Sequence, residues 1–430
     1  MRLRLFLFLP FTIPFALSVF AACGGDDAAP QPAADASALT CEAGKLDCNL
    51  VAGDGCESES KSDVNNCGAC GVVCEGSTCE NGKCLASGCG LPNRFECNAQ
   101  PADGCETDIS TSATSCGHCG HACAAGKTCA DSTCTEDVLA DDIQEPFGIA
   151  LSADRVFFTK RDGKVGSVDK DGKTKPVFHF IDRNTPRAIA VDATYMYWLD
   201  EGDVESIGMV LRAKLDGTCE PATPCPVVLA ETQNKPRALA IDATDVYWIN
   251  SASGLGDATI SKTPVAGGAT TVLATKLLRP HSIKVDATHV YYSLENGGVY
   301  RMKKDGTESA LLTAGTGVKG IDVDEGGVFY ASNGRVYRTP KTGAKTPDLI
   351  ASIASPVAVK ADTAHVYFTV YNEVRRALRD GSCKNEGPCA QPIGKGRVSG
   401  IVDDVSNLAT DGTYIYWANV YGKSIVRVEK

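Results

Sequence analysis

The chain has 430 residues, 42 Lys and Arg against 53 Asp and Glu, and a formal charge of −11. That balance excludes a general nucleic-acid binder, which needs a basic footprint to neutralise phosphates. Its 21 cysteines exclude a reducing compartment as the place of work.

Residues 1–22 read as an export signal: Arg2 and Arg4, an apolar run from Leu5 to Phe20, then Ala21 and Ala22. The run is interrupted by Pro10 and Pro14 and falls short of the roughly 20 residues that span a bilayer. Cys23 follows. Phe20-Ala21-Ala22-Cys23 resembles a bacterial lipobox, which implies that Cys23 becomes the lipid-modified first residue and attaches the protein to a membrane. A plain secretory signal with Cys23 left free is the other reading. Removing one cysteine from 21 leaves an even number that can all pair. Residues 23–40 are small, polar and Pro-containing, as expected of a flexible tether. The expected address is the cell envelope, leaning toward the outer membrane or cell surface.

Two cysteine-rich modules come next, at 41–84 and 85–135. Cysteines 41, 48, 56, 67, 70, 74, 79 and 84 are spaced 7, 8, 11, 3, 4, 5 and 5 apart. Cysteines 89, 97, 105, 116, 119, 123, 129 and 134 are spaced 8, 8, 11, 3, 4, 6 and 5 apart. Each copy carries Asp-Gly-Cys-Glu and Cys-Gly-x-Cys-Gly. So little apolar mass cannot form a core, so disulfides are expected to replace it. The spacing leaves the pairing open, because eight cysteines allow 105 connectivities. Zinc is the rival at Cys67-x-x-Cys70 and Cys116-x-x-Cys119, with His118 and His121 beside the second pair only, but it needs thiolates, which export disfavours. The pattern resembles modules of stigma-specific plant proteins and of predicted myxobacterial surface lipoproteins. That likeness implies an extracellular spacer or binding module.

Residues 136–430 repeat one unit seven times. The copies begin at Pro146, Pro186, Pro236, Pro280, Val318, Pro356 and Val405, at spacings of 40, 50, 44, 38, 38 and 49 residues. Periods of about 40–50 with several short strands per copy belong to propeller blades. Six residues into each copy stands Ser152, Asp192, Asp242, Asp286, Asp324, Asp362 or Asp411. These read as turn formers rather than a carboxylate array. An aromatic pair follows in every copy, including Tyr197-Trp198, Tyr247-Trp248 and Tyr416-Trp417. Alternation along a strand directs the two rings to opposite faces, one toward each neighbouring blade.

The last copy lacks a fourth strand, and Asp137-Val138-Leu139-Ala140 sits at the matching distance ahead of Pro146. The expected fold is therefore all-β, a seven-bladed β-propeller closed by an N-terminal strand and preceded by two small disulfide-rich modules. Cys219 with Cys225, and Cys383 with Cys389, are expected to staple outer turns of blades two and six.

The Tyr-Trp doublets, Val210-Leu-Arg-Ala-Lys-Leu-Asp-Gly217 and Tyr300-Arg-Met-Lys-Lys-Asp-Gly306 resemble the Tyr-Trp-Thr-Asp propellers of the low-density-lipoprotein-receptor type over 136–430. That family has six blades and Thr-Asp after Tyr-Trp. Here Leu199-Asp200, Ile249-Asn250 and Ala418-Asn419 stand in its place.

The second position of each copy enters the innermost strand at the channel mouth. It holds Phe147, Arg187, Arg237, His281, Lys319, Val357 and Ser406. Arg187, Arg237, His281 and Lys319 form a basic or basic-capable arc on four consecutive blades, which points to an anionic ligand such as an acidic glycan, a phosphate or a partner's carboxylate. Snorkelling to solvent or pairing with acidic neighbours is the alternative. No Gly-x-Ser-x-Gly, phosphate loop or His-Glu-x-x-His occurs. The expectation is a lipid-anchored envelope recognition or scaffold protein without catalytic residues, metal or cofactor. The competing class is a propeller hydrolase, lyase or quinoprotein-type enzyme with a divalent ion in the channel.

Overall fold

The computed structural model describes the chain from residue 41 onward, except residues 43, 47, 49–55, 57, 64, 67–69, 71–78, 81–82, 85–92, 99–104, 182, 203–206, 220–223, 252–255, 344–345, 371–372, 383–389, 396–407 and 421. Cys23, Cys383, Cys389 and Ser406, and with them the signal and the tether, lie outside the described residues.

Seven four-stranded antiparallel sheets follow one another along the chain. Blade 2 is representative: Pro186–Val191, Tyr195–Asp200, Gly208–Lys214 and Val227–Gln233. The seven first strands pack in sequence around the axis, and blade 1 meets blade 7 to close the ring. Blade 7 takes its fourth strand from Asp137–Ala140. Ala140 pairs with Ile425, Val138 with Val426 and Asp137 with Arg427. In blade 2, Ala230, Val228 and Val227 meet Val210, Leu211 and Arg212 with the same register shift. The N-terminal strand thus occupies the standard fourth-strand position and leaves no open edge at the seam. The seven blades depart from the six of the Tyr-Trp-Thr-Asp family.

The aromatic pairs occupy both faces of each blade. Trp198 packs with Phe157, Ile189, Met196 and Leu211, and Tyr197 packs with Val246 and Trp248 of blade 3. All three tryptophans are fully buried. An aromatic side chain removes about 150–250 Å² from water. At about 25 cal/mol per Å² each tryptophan contributes an upper value of about 4–6 kcal/mol to holding neighbouring blades together. The Asp-Gly hairpins close through left-handed glycines, with Gly217 at φ 84° and Gly306 at φ 87°.

The aspartates of the first turn do more than the sequence reading gave them. Asp286 accepts from the backbone N–H of Thr288 and His289, and from the Tyr291 hydroxyl. It also pairs at 2.9 Å with Lys341 of the next blade. The same inter-blade pair recurs as Lys304–Asp242, Arg379–Asp324, Lys430–Asp362 and Lys170–Asp411. Four of these cations are the residue just past the third strand, and Lys341 is the second past it. At two interfaces an apolar residue stands there: Leu215 opposite Ser152, and Val265 opposite Asp192. Five of the seven interfaces are therefore tied by charge on the face opposite the channel mouth.

The second cysteine module lies against the closure seam. Cys116–Cys129 and Cys123–Cys134 are disulfides, as is Cys97–Cys119. Cys116, Cys129 and Cys134 share an apolar cluster with Ile393, Leu408, Trp417 and Val426 of blades 6 and 7. His118 and His121 are stacked, with ring centroids 4.8 Å apart. Both accept from the buried Arg376 guanidinium, at 3.2 and 3.3 Å. Burial, and then Arg376, push the imidazoles down to about 3 and about 4, so both are neutral acceptors at neutral pH. In the first module Cys41–Cys56 and Cys48–Cys70 are paired. Cys48–Cys70 and Cys97–Cys119 join the second and fifth cysteines of their copies, so the repeated spacing carries a shared pairing. Cys219 pairs with Cys225 as expected. Such pairing belongs to a protein that folds in an oxidising compartment.

Candidate anion site at the channel mouth

Among the described residues, six blades enter their first strand through a kink. The residue before the initial Pro or Val has positive φ in Glu145, Thr185, Lys235, Arg279, Gly317 and Ser355. For the five that are not glycine this conformation costs of order 1–3 kcal/mol and persists only when neighbouring groups hold it. A backbone bond does so in the first four blades: the N–H of Arg161, Glu201, Ser251 and Glu295 donates to the carbonyl of Glu145, Thr185, Lys235 and Arg279. A shift in ladder register follows the kink, between Pro186 and Ile189 and between Pro280 and Ile283, for instance. Kink and bulge together set the second residue of the strand at the mouth rather than in the ladder.

The arc is assembled there, and carboxylates stand within it. Arg187 bonds Glu201 at 2.5 Å, and its guanidinium lies 4.6 Å from the centre of the Phe147 ring. Arg237 reaches the other oxygen of Glu201 at 3.0 Å. Glu201 is 8% exposed, Arg187 12% and Arg237 40%, so Arg237 faces solvent while Arg187 and Glu201 form the floor. On blade 4, Glu295 pairs with Arg279 at 2.8 Å and lies 3.9 Å from His281. The Arg279 hydrogen bond holds the Glu295 carboxyl below its ordinary value, against partial burial and with help from His281 and Lys319. Val357 stands half-buried at the same position of blade 6. Beside the arc, burial pushes the Asp200 carboxyl up to about 6 despite its bond to Arg183.

The pairing alternative therefore holds for Arg187, Arg237 and His281, and the sequence reading missed the acids that do it. Glu201 and Glu295 both stand fifteen residues after the start of their copies, where other blades have Arg161, Ser251 and Asn333. Aligning that column would have found them. Counted position by position among the described residues, six cations, Arg161, Arg187, Lys235, Arg237, Arg279 and Lys319, stand with three carboxylates, Glu145, Glu201 and Glu295, so the rim keeps a positive surplus on an acidic protein.

Among the described residues the one group of three metal-type ligands is Cys116, Cys123 and Cys134. All three sulfurs are already in disulfides, which leaves no thiolate for a metal.

Fold and site define a seven-bladed β-propeller carrying disulfide-rich modules. Solved structures share that fold at low identity. The WD40 propeller domain of Doa1 matches with a TM-score of 0.53 and 14% identity over 69% of this chain and 97% of that one. Virginiamycin B lyase from Staphylococcus aureus matches with a TM-score of 0.52 and 13% identity over 69% and 98%. A chain of the nidogen/laminin complex is 19% identical over 56% of this chain and 97% of that chain, with a TM-score of 0.42. No family model and no curated protein matches the chain.

Proposed function

We propose that this is a lipid-anchored recognition protein of the cell envelope whose propeller mouth binds an anionic group on a glycan or protein. One observation carries the reading: the cationic surplus at the rim is not required by the fold, since other blades hold Phe147 and Val357 at the same position. Glu201 and Glu295 pre-position the cations and lower the affinity an unopposed arc would have.

The test is titration of the full chain with oligogalacturonate, an acidic glycan, at two salt concentrations. Binding should weaken with salt. Glu201→Gln, which releases two guanidiniums, should tighten it about tenfold, a change of about 1.4 kcal/mol. Combining Arg237→Gln with Lys319→Gln should weaken it by at least as much. Affinity indifferent to all three substitutions removes the mouth from the reading.

Anchoring at Cys23 rests on the signal, the motif and the tether-like composition of residues 23–40. Cys23→Ala should move the chain from the membrane to the soluble fraction. A chain equally membrane-bound after that change is not held by lipid on this residue.

A further inference from the structure

The fifth position of each first strand stands three residues further along the strand than the arc. It holds Ala150, Ala190, Ala240 and Ala409 on four blades, and Lys284, Asp322 and Lys360 on the three consecutive blades between them. Asp322 lies between the first strands of blades 5 and 6. It is 4% exposed, and its Oδ2 accepts at 2.9 Å from the N–H of Ala361 on the first strand of the next blade. Its Oδ1 pairs with Lys360 at 3.2 Å. Lys284 pairs with Tyr291 in the ladder and is half-buried, and among the described residues its amine makes neither a hydrogen bond nor an ion pair within 4.0 Å. Asp322 and Lys360 are the charged groups that bear on its amine. Burial, the largest effect, and the Lys360 charge disfavour its protonation, and Asp322 favours it.

Lys360 thus has the Asp322 carboxylate at 3.2 Å, while the partly buried Lys284 amine has no ion pair within 4.0 Å among the described residues. An uncompensated charge there is costly, and a bound counter-ion removes the cost. Four blades build the same strand with alanine, so the charges are not a requirement of the ring. Lys284 also stands three residues beyond His281 on one strand, roughly 10 Å along it, so this place is distinct from the rim.

We propose that Lys284 and Lys360 hold a small oxyanion, a carboxylate or a phosphate, inside the central channel, with Asp322 fixing Lys360 beside it. The anion restores the charge of Lys284 by offsetting Lys360. Binding therefore takes up protons wherever the free amine is partly neutral. The site does not depend on the rim reading, because substitutions at Arg237 and Lys319 leave Lys284, Asp322 and Lys360 in place.

The experiment is calorimetric titration of the full chain at pH 9 with inorganic phosphate, and separately with acetate, each in two buffers of different ionisation heat. Saturable binding of one equivalent with net proton uptake is expected for at least one anion. The phosphate and acetate arms show which of the two chemistries the site prefers. Lys284→Met should weaken binding at least tenfold, and the Arg237→Gln, Lys319→Gln protein should bind as before. If Lys284→Met does not fold, Lys284→Arg serves in its place: it should retain binding and lose proton uptake. No saturable binding of either anion overturns the proposal, as does equal affinity in Lys284→Met or proton uptake that survives Lys284→Arg.

Discussion

Replacing Leu139 with Asp is expected to lower the unfolding free energy by about 4 kcal/mol or more, and the same change at Val138 by less than about 0.5 kcal/mol. The two residues are neighbours on the strand that closes the ring and point to opposite faces. Leu139 is 4% exposed and packs among Val156, Phe158, Val168, Tyr416 and Ile425. Val138 is 56% exposed. A carboxylate at 139 would be desolvated between the first and last blades, at the one joint where blade 7 depends on a strand from elsewhere in the chain. For a domain of this size about 4 kcal/mol corresponds to a fall in Tm of roughly 10 °C. Thermal and urea unfolding of the two variants checks this. Equal effects would mean that the N-terminal strand does not close the ring.

The inter-blade aspartates provide the second large effect. Asp286→Ala is expected to cost about 3 kcal/mol. It removes two backbone bonds and the Tyr291 bond, and leaves Lys341 without its carboxylate. Asp192→Ala should cost about 1 kcal/mol less. Asp192 keeps the turn bonds to Thr194, Tyr195 and Tyr197, but Val265 stands where a cation would be. A double-mutant cycle of Asp286→Ala with Lys341→Met measures the inter-blade term directly. A coupling near zero would mean that the turn does all the work.

The same groups fix the response to acid. Burial alone would raise the Asp362 carboxyl, but Lys430, the N–H groups of His365 and Ala364, and the Tyr367 hydroxyl together hold it down at about 2. Asp242, Asp286 and Asp411 are held below their ordinary range in the same way. A carboxyl lowered in the folded state contributes stability that is complete above its unfolded value, near 4, and lost as pH falls through the folded value. For Asp362 that is of order 2 kcal/mol, lost between about pH 4 and pH 2. Unfolding measured across that window should lose less stability in Asp362→Asn than in the parent protein, and an identical slope refutes the assignment.

The sequence by itself determined the blade. Its period, the aromatic pair in each copy and the displaced strand at 137–140 are local and repeated, and a repeat is legible because each copy faces the same neighbours. Cys219–Cys225 was legible for the same reason, since a short loop after a hairpin brings the two sulfurs together. Tertiary structure decided what depends on residues from different blades or modules meeting. Glu201 lies 36 residues from Arg237, Asp286 lies 55 from Lys341, and His118 lies 258 from Arg376. No period links such partners until the ring closes. Lys284, Asp322 and Lys360 are three unremarkable charges in the sequence. They come together only because the first strands of adjacent blades meet around one axis, where Asp322 reaches Lys360 and Ala361 of the next blade.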